Sequence, residues 1–456
     1  MTATVTDTLK RQMIQEIFND LVDSDGSKYY IGVGNSQLWS DSDVAPNPVN
    51  TDKEKRDFRL SLQSMKRVSD YSFVAPRYNW TSGTTYSAFS DTVAGHPISP
   101  YYVLNDDNGV YICIEQAKNA AGTPVSSTVK PTGTLTTPFT TVDGYTWKFL
   151  FTVGTLSATK FLSANFMPVG LQGVTDSDSL AVEVEQETIQ NAAIAGQITG
   201  IDVITSGAGY TSSPTVTITG NGTGARALAT VNGGVISKIE MDESDGEPLL
   251  GSGYSFASAQ LTGGGASTEA TVNIKFGPVG GFGADPRIDL RSTAIMLNIK
   301  PEGDEDGAWV VDNAFRQIGL IRNPELPDSA AAFSALSGNA LRRLQLQSVS
   351  SNFNINSTVS GGTSGAKAYI NKIDSDEIWY HQTEELGFIQ FQENEAITDA
   401  DGGAGIIQSV GTDADDDAYV EPDVDPFSGE LLYIENRAKI DRAADQTEDI
   451  KVIIEI

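Results

Sequence analysis

Glycine placement is the strongest constraint on what this chain can fold into. From about residue 197 the texture changes, and Val203–Val231 reads VITSGAGYTSSPTVTITGNGTGARALATV, short β-branched runs cut every few residues by glycine. Glycines at that density break helices, whereas short strands joined by tight turns accommodate them. About 44 residues on, the pattern returns: Gly207-Ala-Gly-Tyr210 is echoed by Gly251-Ser-Gly-Tyr254, and Thr219-Gly220 by Thr262-Gly263. Two copies are too few for a solenoid or propeller. Residues 197–276 are therefore expected to form one small β-module, with Gly277–Pro286 (GPVGGFGADP) as its exit. We read the module as an insertion in a surface loop, where insertions are tolerated best, between a core made of residues 1–196 and 277–456. That the repeat is integral to a single large β-fold stays open.

Outside the module, two helices are expected. Over 6–25, Leu9, Met13, Ile14, Ile17, Phe18, Leu21 and Val22 recur at helical spacing, with Thr6 or Asp7 as cap and Gly26 as stop. Over 52–69, Thr51 and Glu54 make a capping box, Phe58, Leu62 and Met65 share a face, and Lys66 and Arg67 fall in the last turn. Tyr101–Glu115 (YYVLNDDNGVYICIE) reads as a hairpin and Asp143–Val153 (DGYTWKFLFTV) as a buried strand. A short helical stretch is expected near Ser329–Leu344, then a β-rich segment with its own glycine turn at Gly361–Gly365. The closing DIKVIIEI puts Ile450, Val452, Ile454 and Ile456 on one face of a strand tied into a sheet or an interface. With 44 glycines in 456 residues, the expected class is mainly β with a few helices.

Sixty acidic against 30 basic residues give a net charge of −30. Such a surface repels nucleic acid and anionic membranes; it serves either solubility before assembly or adaptation to saline surroundings. The single cysteine, Cys113, allows neither an intramolecular disulfide framework nor a multi-cysteine zinc site. No stretch is long and apolar enough for a membrane span, and Glu16 and Asp20 interrupt what a signal peptide would need. An intracellularly made, soluble protein is expected.

Chemistry is hard to find. Lys28–Trp39 (KYYIGVGNSQLW) begins like a nucleotide-cradling loop, but Gln37 stands where a dinucleotide fingerprint needs its third glycine, and there is no Walker lysine. The glycines are read instead as letting a strand turn tightly while Tyr29, Tyr30 and Trp39 pack. His96 and His381 are the only histidines, neither beside a nucleophile motif. No acid pair stands out as a glycosidase couple among so many carboxylates. Glu302–Asn313, through Asp304, Asp306 and Gly307, distantly matches a calcium loop but lacks the bidentate glutamate at its end. Asp415, Asp416 and Asp417 in the acidic Asp413–Pro426 run are read as a solvated loop before a metal site. No catalytic, cofactor or metal residues are assigned, and the chain is expected not to be an enzyme.

Several segments together resemble one family, the small, dimeric baseplate wedge subunit of T4-like contractile-tailed phages. They are YYIGVGNSQLW with the Pro46–Pro48 loop and the Lys66-Arg67 end, Ala75–Tyr86 (APRYNWTSGTTY), Tyr101–Glu115, and Pro131–Phe151 followed by Phe166–Val169. After the module come GGFGADP, Asn313–Pro324 (NAFRQIGLIRNP) and SGELLYIENRAKIDRAADQTEDIKVIIEI. The resemblance covers roughly 5–175 and 277–456. It implies stacked β-sheets, a multi-layer β-sandwich with helices on loops, and a homodimer bridging other wedge proteins in the tail baseplate of the virion, assembled in the host cytoplasm. It also gives Arg77, Arg316 and Arg437 structural roles, tying loop carbonyls or a carboxylate, with Glu435 as the partner of Arg437. The rival reading is a tail-tip receptor or glycan binder, with Tyr210 and Tyr254 of the 197–276 module exposed for stacking on sugars.

Overall fold

The computed structural model describes residues 3–23, 25–410 and 418–456. The chain is mainly β, built of stacked antiparallel sheets, and divides into two compact units. One comprises Met1–Gln15, Ser72–Met296 and Ile453–Ile456; the other comprises Glu16–Tyr71 and Leu297–Val452. No helix among the described residues is long and apolar enough to cross a membrane.

In the second unit the Tyr29–Gly34 strand is buried along its whole length, between Leu62–Arg67 on one side and Asn313–Arg322 on the other. Asn313–Arg322 in turn pairs with Glu430–Arg442. The two glycines of YYIGVG have extended backbones and turn nothing; the turn belongs to Asn35, at φ 57°. Their role is close approach. Gly32 lies opposite Gly319, and a Cβ at Gly319 would sit 2.4 Å from Cζ of Phe58. The paired glycines thus leave a bay for the Phe58 ring, which packs with Tyr30, Leu62, Met65, Ile321 and Phe333.

Phe58 reaches that bay from a helix shorter than expected. The helix spans Asp52–Leu60, with Oγ1 of Thr51 accepting from the Glu54 amide at 3.2 Å. The expected continuation to 69 is wrong: Leu62–Arg67 is a strand. Hydrogen bonding to a buried neighbouring strand outweighs the local helical pattern, since propensity is a weak prior against tertiary pairing. Lys66 is consequently not at a helix end but pairs with Glu305 at 2.6 Å. The helix expected near Ser329–Leu344 is likewise absent; the segment gives a loop, the Ser337–Asn339 strand and the start of the Arg342–Ser351 strand. Phe333 anchors that loop by packing on Tyr30, ring centres 5.3 Å apart.

The N-terminal helix runs Asp7–Val22. Of its apolar face Ile14 is fully buried, while Leu9 and Met13 remain 48% and 47% exposed. In the first unit, Tyr102–Leu104 and Gly109–Glu115 make the expected hairpin, extended by the buried Thr146–Thr152 strand. Tyr86, Tyr111, Tyr145, Trp147 and Phe149 fill its core together with Ile189. Ile189 comes from Ala181–Asn191, a helix not expected from sequence, as is Thr155–Phe161. The closing Ile450–Glu455 strand does belong to a four-stranded sheet.

Each unit also contains a six-stranded barrel. In the second unit the strands are Arg342–Ser351, Thr358–Gly361, Lys367–Asp374, Glu377–His381, Ala396–Asp399 and Ala404–Ile407. Their order is first–fourth–third–second–fifth–sixth, with the sixth hydrogen-bonded back to the first. Leu344, Leu346, Val359, Ile370, Ile378 and Ile397 fill the interior. In the first unit, Ile198–Thr205, Thr215–Gly220, Ala227–Asn232, Val235–Met241, Ala257–Thr262 and Thr271–Phe276 follow the same order, but as two hydrogen-bonded sheets, one of the second to fifth strands and one of the first and sixth, that lie side by side at the first–fourth and fifth–sixth seams. Ile201, Ile236, Ile239 and Leu261 are among its buried residues.

Candidate functional site

The second unit holds both an aromatic-lined cavity and a chain of buried polar groups leading to it. The chain starts at Arg316 on the Asn313–Arg322 strand, 2% exposed. Its Nε and Nη2 donate to the two carboxylate oxygens of Asp43 at 2.8 and 2.9 Å, and Nη1 donates to the Ser36 carbonyl at 2.6 Å. This fork fixes the loop after YYIGVG, and the guanidinium's hydrogen bonds hold the Asp43 carboxyl below its usual range. The Ser36 hydroxyl then accepts from Asn371 at 3.3 Å. Oδ1 of Asn371 lies 2.6 Å from Nδ1 of His381, and its carbonyl accepts from Asn313 at 2.9 Å.

Burial pushes His381 down to about 4, so its imidazole is neutral at physiological pH and Nδ1 carries the hydrogen that Asn371 accepts. No carboxylate orients the ring. Its neighbour Tyr380 and His381 itself line a cavity of about 450 Å³, together with Arg59, Arg342, Phe388 and Phe427. Arg59 donates to the carbonyls of Pro426, Ser428 and Gly429 at 2.8, 2.6 and 2.8 Å. That grip holds the loop on which Phe427 is 54% exposed, facing a cavity also lined by Phe388, 55% exposed. Size and lining suit an apolar side chain or small ligand. Nothing in the arrangement couples a base to a nucleophile.

The remaining sequence candidates are dispersed. Arg77 donates to Asn79 Oδ1 at 2.9 Å and to the Ser163 carbonyl at 2.8 Å, tying a loop as expected. Arg437 and Glu435 do share a strand face and pair at 2.6 Å. His96 is half-buried, its pKa lowered by burial and then by Arg291. Cys113 is fully buried, and burial raises its thiol well above the ordinary value, which suppresses reactivity. In the calcium-like segment, Glu305 is committed to Lys66 and Ser337. No group of three or more metal-ligating side chains occurs among the described residues; Asp415, Asp416 and Asp417 lie outside them.

Tyr210 and Tyr254 correct the glycan reading. They are 4% and 7% exposed, not free to stack on sugars. Each ring lies under the glycine turns: a Cβ at Gly207 or Gly264 would meet the Tyr210 ring at 2.9 Å, and one at Gly251 would meet Tyr254 at 2.9 Å. Gly207, Gly209, Gly251 and Gly253 all have positive φ, so the Gly-x-Gly-Tyr repeat is a turn packed on its own tyrosine.

Sequence reasoning missed Arg442. It is 3% exposed, donates from Nε to Glu448 at 2.9 Å and from Nη1 to the Gly303 carbonyl at 2.7 Å, and stands over Trp309. Its one sequence signal is an arginine ending a long strand pattern just before DQTED. Compared with known proteins, the chain matches no family model and no curated sequence.

Proposed function

We propose that the chain is a structural subunit of a phage tail baseplate wedge, working as a homodimer that bridges other wedge proteins. The observation that carries this reading is where the family-like segments fall. YYIGVG, NAFRQIGLIR and ELLYIENRAKIDR, nearly 400 residues apart from first to last, are adjacent strands of one sheet. In the other unit YICIE pairs with TWKFLF. The resemblance therefore follows the framework of the fold, where a shared architecture would leave its mark.

The function is mechanical. A wedge subunit holds neighbours through shape-matched patches and repacks between discrete arrangements when the tail contracts. The charge of −30 discourages indiscriminate association and leaves recognition to uncharged patches. The half-exposed Leu9 and Met13 of the N-terminal helix and the cavity beside Phe388 and Phe427 are surfaces of the kind partners cover. Light scattering at micromolar concentration should return twice the 48.6 kDa chain mass, and co-purification should recover other wedge proteins. A monomer that binds none of them ends this reading.

A further inference from the structure

The two barrels are copies of one fold. Beyond the shared strand order, Thr217–Ala227 (TITGNGTGARA) aligns without gaps on Thr358–Ala368 (TVSGGTSGAKA). Gly224 and Gly365 occupy the same place and both take positive φ, 87° and 73°. Ala227 and Ala368, two residues after the matched Ala-Arg and Ala-Lys turns begin, are both buried. With the barrels aligned, their outer faces can be compared strand by strand.

The second and fifth strands of the first barrel pair Thr215 with Thr262, Thr217 with Gln260 and Thr219 with Ser258. All six side chains are exposed. Phe256 continues the same row of alternate residues and is 65% exposed. In the second barrel the equivalent strands pair Ser360 with Thr398, and Thr398 lies beside Ala404 of the sixth strand. Neither pair of strands carries an outward charge, although the chain holds 90 charged residues, 60 acidic and 30 basic. A cation stands at the margin of each, Arg226 just before the third strand of one barrel and Lys367 at the start of the third strand of the other, and Arg226 is neutralised by Asp242 at 2.8 Å.

The geometry points to a binding face for a polysaccharide chain on the second and fifth strands of each barrel. Rows of hydroxyls and an amide present donors and acceptors that match sugar hydroxyls. The Phe256 ring offers an apolar platform for a pyranose face. In the first barrel six residues per strand and two strands give a face roughly 20 by 10 Å, on the order of 200 Å², and the four-residue strands of the second barrel give a shorter one. A stable protein interface needs about 800 Å² from each partner, so the face is too small for a second copy of this chain yet wide enough for one glycan strand. The net charge selects a neutral polymer over a polyanion. Each site is weak alone, and two per chain in a multi-copy particle supply avidity.

Affinity electrophoresis of the full-length protein tests this in native gels containing dextran, laminarin or galactomannan, with dextran sulfate as the polyanion. Retardation by at least one neutral polymer and none by dextran sulfate is expected. F256A and T217E/Q260E should each weaken retardation, the charged pair by about ten-fold, and S360E/T398E should remove most of the remainder. Circular dichroism melts of these surface variants confirm folding, and F256A stands independently if a charged pair unfolds. No retardation by any neutral polymer, retardation indifferent to all three variants, or stronger retardation by dextran sulfate overturns the assignment. So does a fall in oligomeric mass on T217E/Q260E, which would make the face a contact between copies. Since the wedge reading is tested by mass and partner binding, the two can fail separately.

Discussion

Arg316 concentrates three charge-assisted or carbonyl hydrogen bonds on a side chain with almost no access to water. Arg316→Ala orphans those acceptors and should cost on the order of 3 kcal/mol in chemical denaturation. Arg316→Lys, which keeps the charge but loses the fork, should recover only part. Two buried groups set opposite pH limits. His381 is depressed to about 4 by burial; below its unfolded value of about 6.5 the unfolded chain binds the extra proton, so stability falls as pH drops from about 6.5 to 4. Asp289 is raised to about 8 by burial, although the Gly283 amide donates to it. Its folded form keeps the proton, so stability falls as pH rises from about 4 to 8. Thermal melts across pH should show both slopes, His381→Gln flattening the acid limb and Asp289→Asn the alkaline one. The need for Arg316 was visible in the sequence as an arginine inside an apolar run. Its partner was not, because Asp43 lies 273 positions away and no local pattern names it.

At the scale of elements, Gly319→Ala should destabilise the central sheet by about 1–3 kcal/mol through overpacking, because its methyl would collide with Phe58. Combining it with Phe58→Leu should recover part of that loss, whereas adding it to a distant substitution should not. Strands with strong alternation or continuous burial, such as Thr146–Thr152 and Ile450–Glu455, were legible because their pattern is local. Leu62–Arg67 was not: its apolar residues fit a helix period equally well, and a neighbouring strand decided the matter. The Ala181–Asn191 helix buries only Ile189, so its apolar stripe is too thin to read. The second barrel was legible in principle. Its glycine turn at Gly361–Gly365 is plain in the sequence, but the match to Thr217–Ala227 is separated from it by 141 positions.

At the scale of the molecule, acidity and architecture work together. An excess of 30 negative charges keeps copies apart wherever charge is displayed, so lasting contacts must form where it is missing. The half-exposed N-terminal helix face and the aromatic-lined cavity are such places. The barrels have one more property. In both, the first strand and the last are bonded neighbours: Ile198 faces Phe276, and Leu346 faces Ile407. In the first barrel the chain therefore enters and leaves through points about 5 Å apart, and in the second it enters at Arg342, four residues from the exit pair. A segment hemmed in this way can be spliced into, or dropped from, a bend of its host while the flanking backbone hardly moves, which makes it a transferable cassette for evolution and for the protein engineer alike.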